Sequence, residues 1–234
     1  MGRSICQHLS RRGDSVAVLD VQREAAQELA EELRTAGGQA LALQVDVTDR
    51  PAVDAAIQKV RTVLGPVEIA VTSAGLVGFG SFTDISQESW DRIIDVNLTG
   101  TFHCLQAVIP DMVAAGWGRI VTISSSSAQR GSPRMAHYAA SKGGVIAMTK
   151  ALAREYAPHG ITVNNIPPSG IETPMQHTSQ AEGNLPPNDV MTRAIPLGHL
   201  GTGDDIAAAC AFLCTDEAGF ITGQVLGVNG GSVI

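Results

Sequence analysis

Residues 15–36 read SVAVLDVQREAAQELAEELRTA, and residues 39–45 read QALALQV. The stretches 15–20 and 39–45 are short apolar runs, which is typical of buried strands. Between them, Arg23–Ala36 repeats its apolar residues every three or four positions among charged ones, which indicates an amphipathic helix. A strand, a helix and a second strand in this order predict a βαβ unit with two parallel strands.

The same alternation continues along the rest of the chain. We predict six strands, at Ser15–Asp20, Gln39–Val45, Val67–Thr72, Arg119–Ile123, Thr162–Ile166 and Gln224–Val228. The predicted helices are Gly2–Arg12, Arg23–Ala36, Pro51–Val63, Gln87–Ala115, Ala139–Tyr156 and Asp204–Cys214. The predicted fold class is therefore α/β, a doubly wound and mostly parallel sheet flanked by helices.

The composition bounds the class of protein. With 234 residues, 44% of them hydrophobic, the chain can bury one core, so we predict a single domain over residues 1–234. The net charge of −7 argues against nucleic acid or an anionic membrane as a partner. We predict a cytoplasmic protein, because four irregularly spaced cysteines fit no disulfide framework and no apolar run is long enough to cross a bilayer. The six histidines are scattered, so no metal site is predicted.

The region 167–200 contains several Pro and Gly residues and shows no regular periodicity. A surface loop is one interpretation, but the region follows a predicted strand, and ligands of parallel sheets bind beyond the carboxyl ends of strands. We therefore predict a lid over a binding site at about residues 167–200.

The beginning of the chain departs from the usual order of a doubly wound fold. Gly2–Arg12 is predicted as a helix that leads directly into the strand Ser15–Asp20, and no strand precedes it. We therefore expect the first central strand of the sheet to be absent.

Three side chains are candidates for a catalytic or ligand-binding role. Asp20 ends a predicted strand, where a carboxylate can accept two hydrogen bonds from ribose hydroxyls and repel a 2′-phosphate, although Asp is also a favoured helix cap. Tyr138 and Lys142 lie four residues apart in HYAASKGG, so a helix places them on one face. We expect the ammonium to favour the phenolate, so that the pair can exchange a proton with a hydroxyl near neutral pH.

Two further residues are weaker candidates by themselves. Ser125 lies in a run of four serines just after a predicted strand, where it can bond a substrate oxygen or simply form a solvated loop. Asn97 lies inside the predicted helix Gln87–Ala115, although Asn is a mediocre helix former and often bonds the nearby backbone.

Taken together, these residues resemble those of the short-chain dehydrogenase/reductases, over most of the chain. Asn97, Ser125, Tyr138 and Lys142 fall where the family's catalytic four lie. The segments that resemble its cofactor-binding motifs are Asp46-Val47, TSAG at 72–75, PPSGIET at 167–173, and the terminal ITGQ with Gly230-Gly231.

The resemblance implies a Rossmann-like fold and hydride transfer between a nicotinamide cofactor and a carbinol or carbonyl carbon. Tyr138 would be the general acid/base, Lys142 would lower its pKa and bind ribose, Ser125 would polarise the substrate oxygen, and Asn97 would hold a water. The implied cofactor-binding residues are Gly2, Asp20, Asp46, Val47, Ala74, Gly75, Tyr138, Lys142, Pro168, Gly170, Ile171 and Thr173. Asp20 favours NAD over NADP.

The departures from the family matter equally. Its members open with a strand and a Thr-Gly-x-x-x-Gly-x-Gly turn that holds the pyrophosphate, and Met1-Gly2 matches only the last two positions. We therefore expect an N-terminally truncated member that lacks most of this loop and binds NAD poorly. Thr72-Ser73 and Ser169 also replace residues of the family's pattern.

Three functions remain open at this point. The first is an NAD(H)-dependent oxidoreductase acting on a small secondary alcohol or ketone, as a homo-oligomer, by resemblance a tetramer. The second is an NADPH-dependent 3-oxoacyl reductase. The third is a catalytically silent, truncated paralogue or fragment.

Overall fold

Five short strands form two separate sheets in the computed structural model, which describes residues 1–234. They are β1 (Val16–Asp20), β2 (Ala40–Gln44), β3 (Ile69–Thr72), β4 (Gly118–Ile123) and β5 (Ile161–Ile166). β1 pairs with β2, while β4 lies between β3 and β5, and all three pairings are parallel. The predicted α/β class is confirmed, and each of these five strands lies within two residues of its predicted bounds.

The two sheets meet where a central strand was expected to be absent. No main-chain ladder joins β1 to β3, so each of these strands has a neighbour on one side only. In β1, Val16 donates its N–H to the carbonyl of Gln39, next to β2. Because bonding alternates along a strand, the N–H and C=O groups of Ala17 and Leu19 point away from β2, towards the β3 side.

Ten helices surround the strands. Their bounds are α1 Gly2–Arg12, α2 Arg23–Thr35, α3 Arg50–Val63, α4 Gln87–Ile94, α5 Gly100–Ala115, α6 Ser127–Arg130, α7 Ala136–Tyr156, α8 Pro174–Ala181, α9 Asn188–Arg193 and α10 Gly203–Leu213. Several begin at side-chain caps: Asp49 accepts from the N–H of Ala52, and Thr202 and Asp205 form a capping box. None of these helices is both long and apolar enough to cross a membrane.

Two apolar cores lie on opposite faces of the strands. α1, α2 and α10 cover one face, and α3, α5 and α7 cover the other. β4 contributes side chains to both cores, since Val121 and Ile123 face the first while Ile120 faces the second. The first core also contains Val16 and Val18 of β1, so side-chain packing joins the two sheets that the backbone does not.

The predicted sixth strand, Gln224–Val228, is not a strand in the structure. It makes only a single parallel bridge, between Val225 and Asn165 of β5. The side chain of Asn164 accepts the N–H of Gln224, and its own amide donates to Ile221, so side-chain bonds replace part of a ladder here.

The predicted helix Gln87–Ala115 is interrupted. Between α4 and α5, residues Asp95–Thr99 form a π-helical turn that contains Asn97. Such turns widen a helix by one residue and are frequent at functional sites.

The region 167–200 is more regular than predicted, since it contains α8 and α9. Thr173 is the N-cap of α8, and its hydroxyl accepts the N–H of Gln176, while Pro174 is the first residue of the helix. Both are ordinary helix-start signals that the many prolines of this region obscured.

Candidate active site

The carboxyl end of β4 positions the first of the polar groups. β4 ends at Ile123, and the chain then turns through the serine run into α6. The hydroxyl of Ser125 accepts the N–H of Ser127 at 3.2 Å, and the Ser125 side chain lies close enough to the phenol of Tyr138 to affect its pKa. The two side chains predicted to act on one substrate oxygen therefore meet.

Tyr138 and Lys142 lie one turn apart at the beginning of α7, as their spacing predicts. Lys142 is 5% exposed, and its ammonium donates to the carbonyl of Ile123 at 3.1 Å. Burial lowers the pKa of Lys142 to about 8. α7 thus carries a phenol and a desolvated amine side by side next to the end of β4.

The expectation that the ammonium lowers the tyrosine pKa is wrong for this structure. Burial raises the pKa of Tyr138 above its ordinary value, and the nearby Ser125 side chain offsets only part of that rise. The physical reason is that desolvation penalises the phenolate. Lys142, with a pKa of about 8, is already neutral at the higher pH where the phenol loses its proton, so it cannot favour the phenolate there.

The side chain of Asn97 is buried in the π turn and nearly saturated with hydrogen bonds. Its Oδ1 accepts from the N–H of Leu76 at 2.8 Å, and its Nδ2 donates to the carbonyl of Leu76 and to the hydroxyl of Ser141, both at 2.9 Å. The carbonyl of Asn97 accepts from Thr101. Both N–H donors of the amide are therefore used, so a water at Asn97 could only donate to one of its oxygens.

Gly75 brings the end of β3 close to this group. A Cβ on Gly75 would lie 3.1 Å from Asn97 Oδ1 and 3.1 Å from Lys142 Nζ. A side chain at position 75 would therefore fill the space beside the ammonium, and the glycine leaves that space open. Ala74, the residue before it, is exposed.

The acidic candidates for cofactor binding are both engaged in local turns. Asp20, exposed at the end of β1, accepts the N–H of Gln22 with Oδ1. Asp46 accepts from the N–H and the hydroxyl of Thr48, which lowers its pKa. Asp20 thus closes a local turn before α2 but is not the helix cap of its alternative interpretation, since the N-cap of α2 is Gln22. A carboxylate retains further acceptor capacity for a ligand.

Val47 and Gly2 lie at other points of the same edge. Val47 packs against Gly100, where a Cβ would be only 2.5 Å from Val47 Cγ2, and its carbonyl contacts His103 Nδ1 at 2.9 Å. Gly2 opens α1 close to Ser73, whose hydroxyl would lie 3.6 Å from a Cβ on Gly2. The positive end of α1 therefore lies beside the carboxyl end of β3.

The segment after β5 is held by main-chain contacts. The carbonyl of Pro168 accepts from Ser126, and that of Gly170 accepts from Gly201. Gly170 has a φ of +58°, and Ile171 forms a bridge with Gly201. Thr173 uses its hydroxyl to cap α8, so this oxygen accepts a bond within the protein.

Two buried residues next to the site were not predicted. Ser141 bonds Asn97, and His137 lies against the loop after β3, since a Cβ on Gly78 would be 2.3 Å from its Nε2. Nδ1 of His137 has no hydrogen-bond partner, and burial lowers the pKa of this imidazole. Their spacing of four on α7 was the signal available in the sequence, because it places both on one helix face.

The donors present fit a nicotinamide dinucleotide. Lys142 uses one of its three N–H groups on Ile123, which leaves two for ribose hydroxyls. The open space at Gly75 borders the same ammonium. The residues therefore provide a cradle and a cation at the edge of the sheet where α/β folds bind such ligands.

A parallel α/β fold with a serine, tyrosine, lysine and asparagine group at the carboxyl ends of its strands is the architecture of a nicotinamide-dependent oxidoreductase. Comparison with known proteins supports this class. A family profile described as "Enoyl-(Acyl carrier protein) reductase" matches residues 1–232. The chain belongs to the short-chain dehydrogenase/reductase family and is an oxidoreductase.

The chain is similar over almost its full length to proteins named 3-oxoacyl-[acyl-carrier-protein] reductase FabG. It is 38% identical to that of Staphylococcus aureus over 232 residues, covering 99% of this chain and 93% of the relative. The identity is 37% to that of Escherichia coli, with 99% and 92% covered. It is 34% to that of Thermotoga maritima, with 100% and 94% covered.

Proposed function

We propose that this chain transfers a hydride between NAD(H) and a small secondary alcohol or its ketone. The observation that supports the proposal most is that Ser125, Tyr138 and Lys142 come together at the carboxyl end of β4, where Lys142 donates to the carbonyl of Ile123. Ser125 and Tyr138 would both contact the substrate oxygen. When bound, the nicotinamide supplies the hydride acceptor or donor.

Each residue of the group has a role that its contacts support. Tyr138 takes the proton of the alcohol in oxidation and returns it in reduction. Ser125 donates to the substrate oxygen and holds it against the phenol. Lys142 binds ribose hydroxyls with its free N–H groups, and a ligand that holds it protonated would favour the phenolate and oppose the effect of burial.

A substitution at Tyr138 tests this proposal, and α7 offers a matched control. Tyr138→Phe should lower kcat at least about 10²-fold, because the proton carrier is removed while the ring remains. Tyr156→Phe removes the only other phenol, at the far end of the same helix, and should leave the rate nearly unchanged. Dehydrogenase activity that survives Tyr138→Phe would discard the proposed proton transfer.

The preference for NAD over NADP rests on Asp20. Its carboxylate is exposed at the end of β1, where it would accept from the adenosine ribose and repel a 2′-phosphate. Asp20→Ser keeps an oxygen that can cap Gln22 but removes the charge. The variant should shift the ratio of kcat/KM values towards NADPH by about tenfold or more, whereas an equal ratio in both proteins would contradict the role of Asp20.

An NADPH-dependent 3-oxoacyl reductase is the second candidate. The names of the relatives favour it, since they are 3-oxoacyl-[acyl-carrier-protein] reductases at 34–38% identity. Rates with NADH and NADPH, measured on a 3-oxoacyl thioester and on simple ketones, separate the two. Faster turnover of the thioester with NADPH would replace our proposal by this one.

A catalytically silent protein is the third candidate, and the division of the strands into two sheets favours it. The ligand site proposed here lies at the edge where β1 and β3 have no common neighbour. Titration calorimetry with NAD distinguishes this candidate: micromolar binding would exclude it, and absence of binding at millimolar NAD would support it.

We further propose that α8 and α9 form a lid over the substrate and that the chain acts as a homotetramer in the cytoplasm. Support for the lid comes from its place directly after β5 and before Gly201.

Support for assembly comes from Phe102, which is 43% exposed on α5. Light scattering on the purified chain tests the tetramer, and a mass of 24.4 kDa would contradict it.

A further inference from the structure

Ser141 connects α7 to the π-helical turn that contains Asn97. It precedes Lys142 on α7 and is completely buried. Its hydroxyl donates to the carbonyl of Tyr138 at 2.8 Å and accepts from Nδ2 of Asn97 at 2.9 Å. Because its single proton is committed to its own helix, Ser141 offers Asn97 only an acceptor.

That acceptor fixes the orientation of the Asn97 amide. Nδ2 faces Ser141 and the carbonyl of Leu76, and Oδ1 faces the N–H of Leu76. A flipped amide would place Nδ2 against the N–H of Leu76 and Oδ1 against its carbonyl, which would lose both bonds. Ser141 thus supports the one orientation that binds Leu76 twice.

Leu76 in turn fixes the loop that borders the ammonium. It follows Gly75, whose missing Cβ would lie 3.1 Å from both Asn97 Oδ1 and Lys142 Nζ. A loop released by a few tenths of an ångström would change the space next to Lys142. The position of Gly75 relative to Lys142 therefore depends on a chain of bonds that begins at Ser141.

We propose that Ser141 is a positioning residue for the reaction: through Asn97 it holds Leu76, and hence Gly75, in place against Lys142. Its catalytic part rests on the proposed function. Ser141 itself reaches neither substrate nor cofactor, because its hydroxyl is enclosed by protein and both of its bonds are made to the protein.

Thr149 provides a matched control on the same face of α7. It is equally buried, its hydroxyl donates to the carbonyl of Val145 at 2.9 Å, and it bonds Thr122 of β4 at 2.7 Å. Like Ser141, it uses its proton within its helix and links to one other element. Thr149→Val therefore removes a comparable buried bond away from the loop.

Hydrogen exchange tests the positioning without any need for activity. In Ser141→Ala, the amide hydrogen of Leu76 should exchange about tenfold faster than in the wild type, while Thr149→Val leaves this amide unchanged. If Ser141→Ala folds poorly, Ser141→Cys keeps the volume with a weaker acceptor and should show the same change. Unaltered exchange at Leu76 in a folded Ser141 variant would overturn the proposal.

A double-mutant cycle tests the effect on the reaction. Ser141→Ala should lower kcat about tenfold, Thr149→Val less than twofold, and Ser141→Ala should add less than twofold once Asn97 is already alanine. Independent losses from the Ser141 and Asn97 substitutions would overturn the catalytic part. If the wild type lacks dehydrogenase activity, the proposed function fails, and hydrogen exchange still decides whether Ser141 positions the loop.

Discussion

Replacing Lys142 by methionine should stabilise the protein at neutral pH while removing the proposed ribose-binding group. Burial lowers the pKa of Lys142 from 10.5 to about 8. At about 1.36 kcal/mol per pKa unit, the charged side chain costs the folded state about 3 kcal/mol at pH 7. The methionine also loses the bond to Ile123, worth about 1 kcal/mol, so the net gain is about 2 kcal/mol.

The gain should depend on pH in a defined direction. Below pH 8, Lys142 is protonated in both states and the folded protein carries the full cost. Between pH 8 and 10.5 the folded protein loses the proton first, so the unfolded chain binds more protons and the wild type becomes more stable as pH rises. The advantage of Lys142→Met should therefore shrink over this window and vanish by about pH 10.

Urea unfolding followed by the fluorescence of Trp90 and Trp117 measures these free energies at pH 7 and pH 10. Lys150→Met is the control, because Lys150 is exposed two turns further along α7 and should change stability by less than about 0.5 kcal/mol. A Lys142→Met protein less stable than the wild type at pH 7, or a gain independent of pH, would refute the assignment of the cost to burial of the ammonium.

Three further predictions concern close contacts and the strand edges. Gly78→Ala should lower the unfolding free energy by about 1–3 kcal/mol, because the new Cβ would be 2.3 Å from His137 Nε2, and a combined His137→Ala should recover most of the loss in urea unfolding. Gly160→Ala should lower the unfolding free energy by about 2 kcal/mol or more, since Gly160 has a φ of +73° and its Cβ would be 2.3 Å from a backbone oxygen. The melting temperature should fall accordingly, and an unchanged melting temperature would contradict this. The amide hydrogens of Ala17 and Leu19 should exchange faster than those of the same strand that bond β2, and equal protection would show that the open edge is covered.

The sequence predicts the strands and most helices well, because each forms a distinct pattern. α1 matches its predicted bounds, Gly2–Arg12, since its apolar face is regular and Gly13 ends it in a left-handed conformation. The predicted strand Gln224–Val228 fails because periodicity does not reveal that Asn164 takes the N–H of Gln224. Such side-chain competition depends on tertiary contacts.

The sequence predicted that Tyr138 and Lys142 lie together, but it predicted neither the electrostatics of the candidate site nor all of its buried neighbours. Residue spacing places Tyr138 and Lys142 together, and the structure brings Ser125 to the phenol. The direction of the Tyr138 pKa depends on how deeply both groups are buried, which no spacing encodes. The link through Ser141 was also missed, because Asn97 lies 44 residues away in sequence.

The absence of a hydrogen-bonded ladder between β1 and β3 affects how a ligand that contacts both sheets would be bound. Asp20 belongs to one sheet, while Lys142 packs on the other, and only side chains such as Val16, Val18 and Ile123 connect them. Apolar contact is non-directional, whereas a hydrogen-bonded ladder fixes register and spacing. The distance between Asp20 and Lys142 is therefore set by side-chain packing alone, which deforms more easily than a hydrogen-bonded sheet. A dinucleotide bound to both residues would fix this distance.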